Sequence, residues 1–136
     1  MEFARLALVK PLRILLAEDN KVNQILTLGL LRSLGYTCEL AIDGRQAVES
    51  ALASSYDLVL MDCQLPVIDG YKAARLIKDQ NPRTIVVAYT AAIREHDTVR
   101  SKGAGMEFTL SKPIAMESLV DLLTSVYDIL HKGSST

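Results

Sequence analysis

The sequence predicts one α/β domain, a doubly wound parallel sheet made of five strand-helix units. Three observations predict it. Short runs of branched apolar residues alternate with longer segments of helical period. The polar residues that need explaining recur at one place, the end of a predicted strand. The length, 136 residues with 49% hydrophobic content, is enough for one core without disulfide or metal staples.

Leu12 to Ala17 reads as a buried first strand. A helix follows from about Lys21 to Leu34, with Val22, Ile25, Leu26, Gly29, Leu30 and Ser33 along one side, and Gly35 stops it. Tyr36 to Ala41 is a half-polar strand, expected at a sheet edge. Asp43 and Gln46 then stand at N-cap and N3 spacing for a second helix through Ala53. Leu58 to Met61 is a nearly continuous apolar strand ending at Asp62. A loop with Pro66 leads from it to a third helix, Gly70 to about Asp79, with a boundary at Pro82. Thr84 to Tyr89 is the fourth strand, and Ala92 to Lys102 a polar helix ended by Gly103. Glu107 to Leu110 is a short fifth strand. Ala115 to Leu130 is the last helix, with Leu119, Leu122, Leu123, Val126 and Leu130 at core spacing. The expected domain spans 11–131, with an N-terminal extension at 1–10 and a tail at 132–136.

The 15 basic residues nearly cancel the 16 acidic ones, so no broad positive field exists to attract nucleic acid or an anionic membrane. Cys38 and Cys63 are too few and too far apart for a zinc site or a disulfide framework, and a reducing, cytoplasmic setting is the simplest expectation. Leu6 to Val9 is too short for a signal-peptide core. No stretch approaches the roughly 18 apolar residues of a membrane span, so no membrane contact is expected.

Glu18 and Asp19 follow the first strand, Asp62 the third, Thr90 the fourth and Lys112 the fifth. In open parallel sheets, ligands bind beyond the carboxyl ends of the strands, where strand order reverses. In the order 2-1-3-4-5 that point lies between strands 1 and 3, the two that end in acids. Three gathered carboxylates repel unless a cation compensates. Mg²⁺ suits them, because it takes oxygen ligands, needs one or two direct carboxylates and keeps its other positions for water or phosphate. Thr90 and Lys112 add a hydroxyl donor and a fixed positive charge, which a transferring phosphoryl group requires.

Alone, each residue has a plainer reading. Asp19 with Asn20 could cap the first helix, Asp62 could begin a turn, and Thr90 could cap the fourth helix. Lys112, at the end of an apolar strand and before proline, resists such a reading. His96 is expected to be a solvated surface residue. Cys63 has no base nearby that would make it a catalytic thiol, and is expected to be a tolerated loop residue.

Taken together, Leu15-Leu16-Ala17-Glu18-Asp19-Asn20, Met61-Asp62-Cys63-Gln64-Leu65-Pro66-Val67-Ile68-Asp69-Gly70, Thr90-Ala91-Ala92 and Leu110-Ser111-Lys112-Pro113 resemble the receiver domains of response regulators and hybrid sensor kinases, over roughly Leu12 to Leu130. The wording around Glu18 and Asp62 is most similar to receivers of hybrid sensor histidine kinases. The resemblance implies a flavodoxin-like (βα)5 fold of order 2-1-3-4-5. It also implies Mg²⁺-dependent transfer of a phosphoryl group from phosphohistidine to Asp62, with the domain catalysing its own modification and having no separate substrate. Asp19 and Asp62 would ligate Mg²⁺ directly, Glu18 largely through water, and the backbone carbonyl of Gln64 would be the third protein ligand. Thr90 and Lys112 would contact the phosphoryl oxygens, Ala91 would leave room for the group, and the Lys112-Pro113 peptide would be cis. Gln64 and Ala92 would tune the lifetime of the acyl phosphate.

Switching would follow movement of Thr90, read out on the face of the fourth helix, fifth strand and fifth helix. Receivers usually carry Tyr or Phe three residues before the lysine. This chain has Thr109 there, with Phe108 pointing to the other face, and the expectation is that Tyr89 takes over part of the packing role. The implied partners are a histidine kinase or histidine phosphotransfer domain and a downstream protein, for a monomer or weak dimer. A pseudo-receiver that binds partners without phosphorylation is the alternative. A haloacid-dehalogenase-type phosphatase has the motifs in another order, and a flavodoxin-like mononucleotide binder would lack Glu18 and Asp19, which repel phosphate.

Overall fold

In the computed structural model the structure describes residues 5–91 and 95–132, with backbone alone at 95–98. The strands are β1 (Ile14–Ala17), β2 (Cys38–Ala41), β3 (Leu58–Asp62), β4 (Ile85–Thr90) and β5 (Phe108–Ser111). The helices between and after them are α1 (Lys21–Ser33), α2 (Gly44–Ala53), α3 (Gly70–Gln80), α4 (Glu95–Gly103) and α5 (Met116–Lys132). All strand pairs are parallel, in the order β2-β1-β3-β4-β5. The half-polar second strand is therefore at an edge, as its composition predicted.

Strand alternation divides the core into two layers. Ile14, Leu16, Leu58, Leu60, Ile85 and Val87 face α1 and α5, where they meet Leu31, Leu34, Leu119, Leu123 and Val126. Leu15, Val59, Met61, Val86 and Ala88 face the other way, onto Ala47 and Ala51 of α2 and Ala73, Ala74 and Ile77 of α3. Each fully buried leucine contributes roughly 2 kcal/mol of transfer free energy. Burial on both faces also explains why β1, β3 and β4 read as continuous apolar runs.

Local signals set the helix ends. Asn20, Asp43 and Asp69 cap α1, α2 and α3 by accepting from Asn23 N, Gln46 N and Lys72 N at 3.0, 2.8 and 3.0 Å. Gly35, at φ 93°, ends α1, with Tyr36 N donating to Leu31 O at 3.0 Å. α4 ends at Gly103, as predicted, and the left-handed position that turns the chain away comes two residues later, at Gly105, φ 85°.

Other differences have physical causes. The stripe Val22, Ile25, Leu26 on α1 faces solvent, at 64%, 64% and 54% exposure. The packed stripe is Thr27, Leu31 and Leu34, because the helix carries apolar residues on two sides. Leu6–Val9 forms a single helical turn that was not predicted. Ala7 N donates to Leu34 O at 3.1 Å, and the Tyr36 hydroxyl to Lys10 O at 2.6 Å. α5 runs through Lys132, two residues past its predicted end. Cys63 lies in the loop after β3, as expected, and its side chain is buried in the core, 5% exposed.

Candidate functional site

The carboxyl ends of β1, β3, β4 and β5 open onto a cleft of about 760 Å³ lined by Glu18, Asp19, Asp62, Gln64, Thr90, Ala91 and Lys112 among others. The predicted residues are thus brought together, apart from three. Tyr89 lies behind this cleft, Thr109 is exposed on β5, and Ala92 is outside the described residues.

β1 delivers the acidic pair. Glu18 is fully buried; its Oε2 accepts from Asn20 N at 3.1 Å, and its carbonyl accepts from the Gln24 side chain at 2.8 Å. The helix cap is Asn20, not Asp19, so the capping explanation of Asp19 falls away and its exposed carboxylate is left to the cleft. β3 ends in Asp62, 7% exposed, whose Oδ1 accepts from Gln64 N at 3.0 Å. Asp62 does begin a turn, but its second oxygen points to the lysine. The start of α3 is pressed against it: a Cβ on Gly70 would lie 2.0 Å from the Asp62 carbonyl, so only glycine fits.

Thr90 is the last residue of β4, and its carbonyl accepts from Lys112 N at 2.9 Å, which locks the end of β5 beside it. The Lys112-Pro113 peptide is cis. The Lys112 ammonium bonds Glu18 Oε1 at 2.5 Å and Asp62 Oδ2 at 3.2 Å.

These distances explain the electrostatics. Burial pushes the Asp62 carboxyl up to about 6, and the Gln64 amide and Lys112 offset that only in part, while Glu18 adds to it. Lys112 sits nearer Glu18 than Asp62, so its charge is directed mainly at Glu18. Burial works against the charged ammonium, but the bond to Glu18 and the two carboxylate charges outweigh it and raise its pKa.

The donor set fits a hard divalent cation. One oxygen each from Glu18, Asp19 and Asp62 lie within 4.8 Å of one another. Opposite ligands of Mg²⁺ at about 2.1 Å stand about 4.2 Å apart, so a small adjustment or one intervening water closes the set.

Two participants escaped sequence reading. Tyr71 and Arg100 also line the cleft, with the guanidinium carbon 4.0 Å from the ring centroid. They come from α3 and α4, and only tertiary packing joins them. Tyr89 points into the α1 and α5 layer, away from Thr90 and Thr109, because neighbours on a strand face opposite sides. It therefore does not fill the space beside Thr109. Its hydroxyl lies 2.8 Å from Thr27 Oγ1, and its ring centroid 4.9 Å from Lys112 Nζ.

Comparison with known proteins agrees with this geometry. Residues 14–124 match the model of the response regulator receiver domain. The receiver domain of sensor histidine kinase PA1611 from Pseudomonas aeruginosa, solved with a magnesium ion coordinated in the active site cleft, is 44% identical with a TM-score of 0.80, covering 85% of this chain and 97% of that one. The receiver of the Saccharomyces cerevisiae response regulator Ssk1, solved with the histidine phosphotransfer protein Ypd1, is 28% identical with a TM-score of 0.76, covering 90% and 88%. The sensor kinase/phosphatase LuxQ of Vibrio cholerae is 40% identical over 111 residues, covering 81% of this chain. The chain spans 13% of LuxQ and 10% of the Escherichia coli sensor protein EvgS, to which it is 29% identical. Among the described residues no helix is long and apolar enough to cross a membrane.

Proposed function

The chain belongs to the response regulator receiver family, and from that premise we propose that it is the phosphoacceptor of a two-component or phosphorelay pathway, taking a phosphoryl group from phosphohistidine onto Asp62. The observation that carries this reading is the meeting of Asp62, Glu18, Asp19 and Lys112 in one cleft.

A carboxylate oxygen of Asp62 attacks phosphorus in line with the P–N bond. That bond breaks, its electron pair returns to the donor's imidazole, and an acyl phosphate remains. Asp19, Asp62, the Gln64 carbonyl and, through water, Glu18 would hold Mg²⁺, which supplies charge compensation for the phosphoryl oxygens. Lys112 passes its ammonium from Asp62 to a phosphoryl oxygen while keeping Glu18, and Thr90 donates its hydroxyl to another. Ala91 leaves the entrance open, and Gln64 and Ala92 govern hydrolysis.

Movement of Thr90 alters the face of α4, β5 and α5, where the downstream partner binds. Thr109 is exposed on that face, and its small side chain makes the response there differ from receivers with an aromatic at this place. The donor, a histidine kinase or phosphotransfer domain, covers the cleft from the side of α1, where Val22, Ile25 and Leu26 are exposed. The setting is cytoplasmic.

The test is transfer of radiolabelled phosphate from a phosphohistidine-bearing phosphotransfer domain. Label should reach the wild-type chain with Mg²⁺, and neither Asp62→Ala nor chelated protein should accept it. Donor binding without transfer would favour the pseudo-receiver.

A further inference from the structure

Tyr89 is a phenol where an aliphatic residue would satisfy the core. It is 2% exposed, in a cluster otherwise made mostly of leucine, isoleucine and valine, and its hydroxyl is paired with that of Thr27, which is fully buried. Two buried hydroxyls bonded to each other add little stability over two apolar side chains of the same shape. The pair therefore calls for another explanation, and the far side of the ring supplies one. Lys112 Nζ lies 4.9 Å from the ring centroid, within the range at which an ammonium is attracted to an aromatic face. Strand register also sets Tyr89 beside Asp62 on β3.

The ammonium therefore has three neighbours: Glu18 Oε1, Asp62 Oδ2 and the ring. In the transfer described above, Asp62 is the partner that Lys112 must release. Glu18 and the ring are the two that persist. We infer that Tyr89 is a positioning residue for phosphoryl transfer, its ring seating the Lys112 ammonium while its hydroxyl rests against Thr27 of α1. This rests on the reading of Asp62 as phosphoacceptor. It also places the seat on the helix whose exposed side flanks the cleft, since Asn23 and Thr27 stand one turn apart on α1.

The experiment measures the initial rate of phosphoryl uptake from acetyl phosphate at saturating Mg²⁺ by intact mass, and Mg²⁺ binding separately by calorimetry. Tyr89→Leu should slow uptake about 3- to 30-fold, the rate equivalent of a lost cation–π contact, with the Mg²⁺ dissociation constant unchanged. Tyr89→Phe, which keeps the ring, should stay within about 3-fold of wild type. In a Lys112→Met background, Tyr89→Leu should slow uptake no further, because the group it positions is gone. Should the leucine variant fail to fold, Tyr89→Met takes its place in the same cycle. An equal slowing with and without Lys112, or a phenylalanine variant as slow as leucine, would overturn the inference. Wild type that takes up no phosphoryl group would overturn the receiver reading, and this inference with it. Uptake by wild type with an unchanged Tyr89→Leu rate would overturn the inference alone.

Discussion

Replacing Asp62 with asparagine should stabilise the metal-free protein at neutral pH, and the gain should disappear in acid. The Asp62 carboxyl titrates at about 6 against an ordinary 3.8, first because burial disfavours its charge. About two units at 1.4 kcal/mol each set a ceiling near 3 kcal/mol, and water at the mouth of the cleft trims this to about 2 kcal/mol. The sign follows from linkage. The folded pKa is the higher one, so the native state binds the extra proton; its stabilisation is complete below about pH 4 and is lost as pH rises through about 6. Asparagine keeps a neutral side chain at every pH. For a chain of this size the gain corresponds to a Tm higher by roughly 5–10 °C at pH 7.5, with no difference at pH 3.5. Thermal unfolding by circular dichroism, with chelator present, measures both. Added Mg²⁺ should raise the wild-type Tm more than that of Asp62→Asn. Equal Tm values at pH 7.5, or a gap that persists in acid, would refute the argument.

Lys112→Ala should destabilise the fold by about 3–5 kcal/mol in urea titration, because it leaves the fully buried Glu18 without its cation. The pair Glu18→Gln with Lys112→Met should recover most of that loss. Gly70→Ala places a methyl 2.0 Å from the Asp62 carbonyl, so it should lower stability by about 1–3 kcal/mol and slow uptake from acetyl phosphate by moving the end of β3. Ile25→Ser with Leu26→Ser should leave uptake from acetyl phosphate unchanged and slow transfer from a phosphohistidine-bearing domain about 10-fold or more, which paired assays with the two donors would read.

The sheet was legible because each of its central strands is an apolar run that stops at a charged or hydroxyl residue. Glu18, Asp62, Thr90 and Lys112 mark strand ends and gather for that reason alone. Less legible was which side of a helix turns inward. α1 carries apolar residues on two sides, and only the sheet beneath it selects Thr27, Leu31 and Leu34 over Val22, Ile25 and Leu26. Gly103 was legible as the end of α4, but the left-handed position at Gly105 shows only in the backbone, where Met106 N donates to Ser101 O at 2.9 Å. The place of Tyr89 could have been read: next to Thr90 on one strand, it must face the opposite layer. Its link to Thr27 could not, since 62 residues separate them. The Tyr71 and Arg100 contact is hidden for the same reason.

Treating the wild-type chain and Asp62→Ala with acetyl phosphate and Mg²⁺, then reading intact mass, tests the central claim most directly. The wild type should gain one phosphoryl group and the alanine variant none. A phosphoryl adduct that survives in Asp62→Ala would place the acceptor elsewhere and contradict the account.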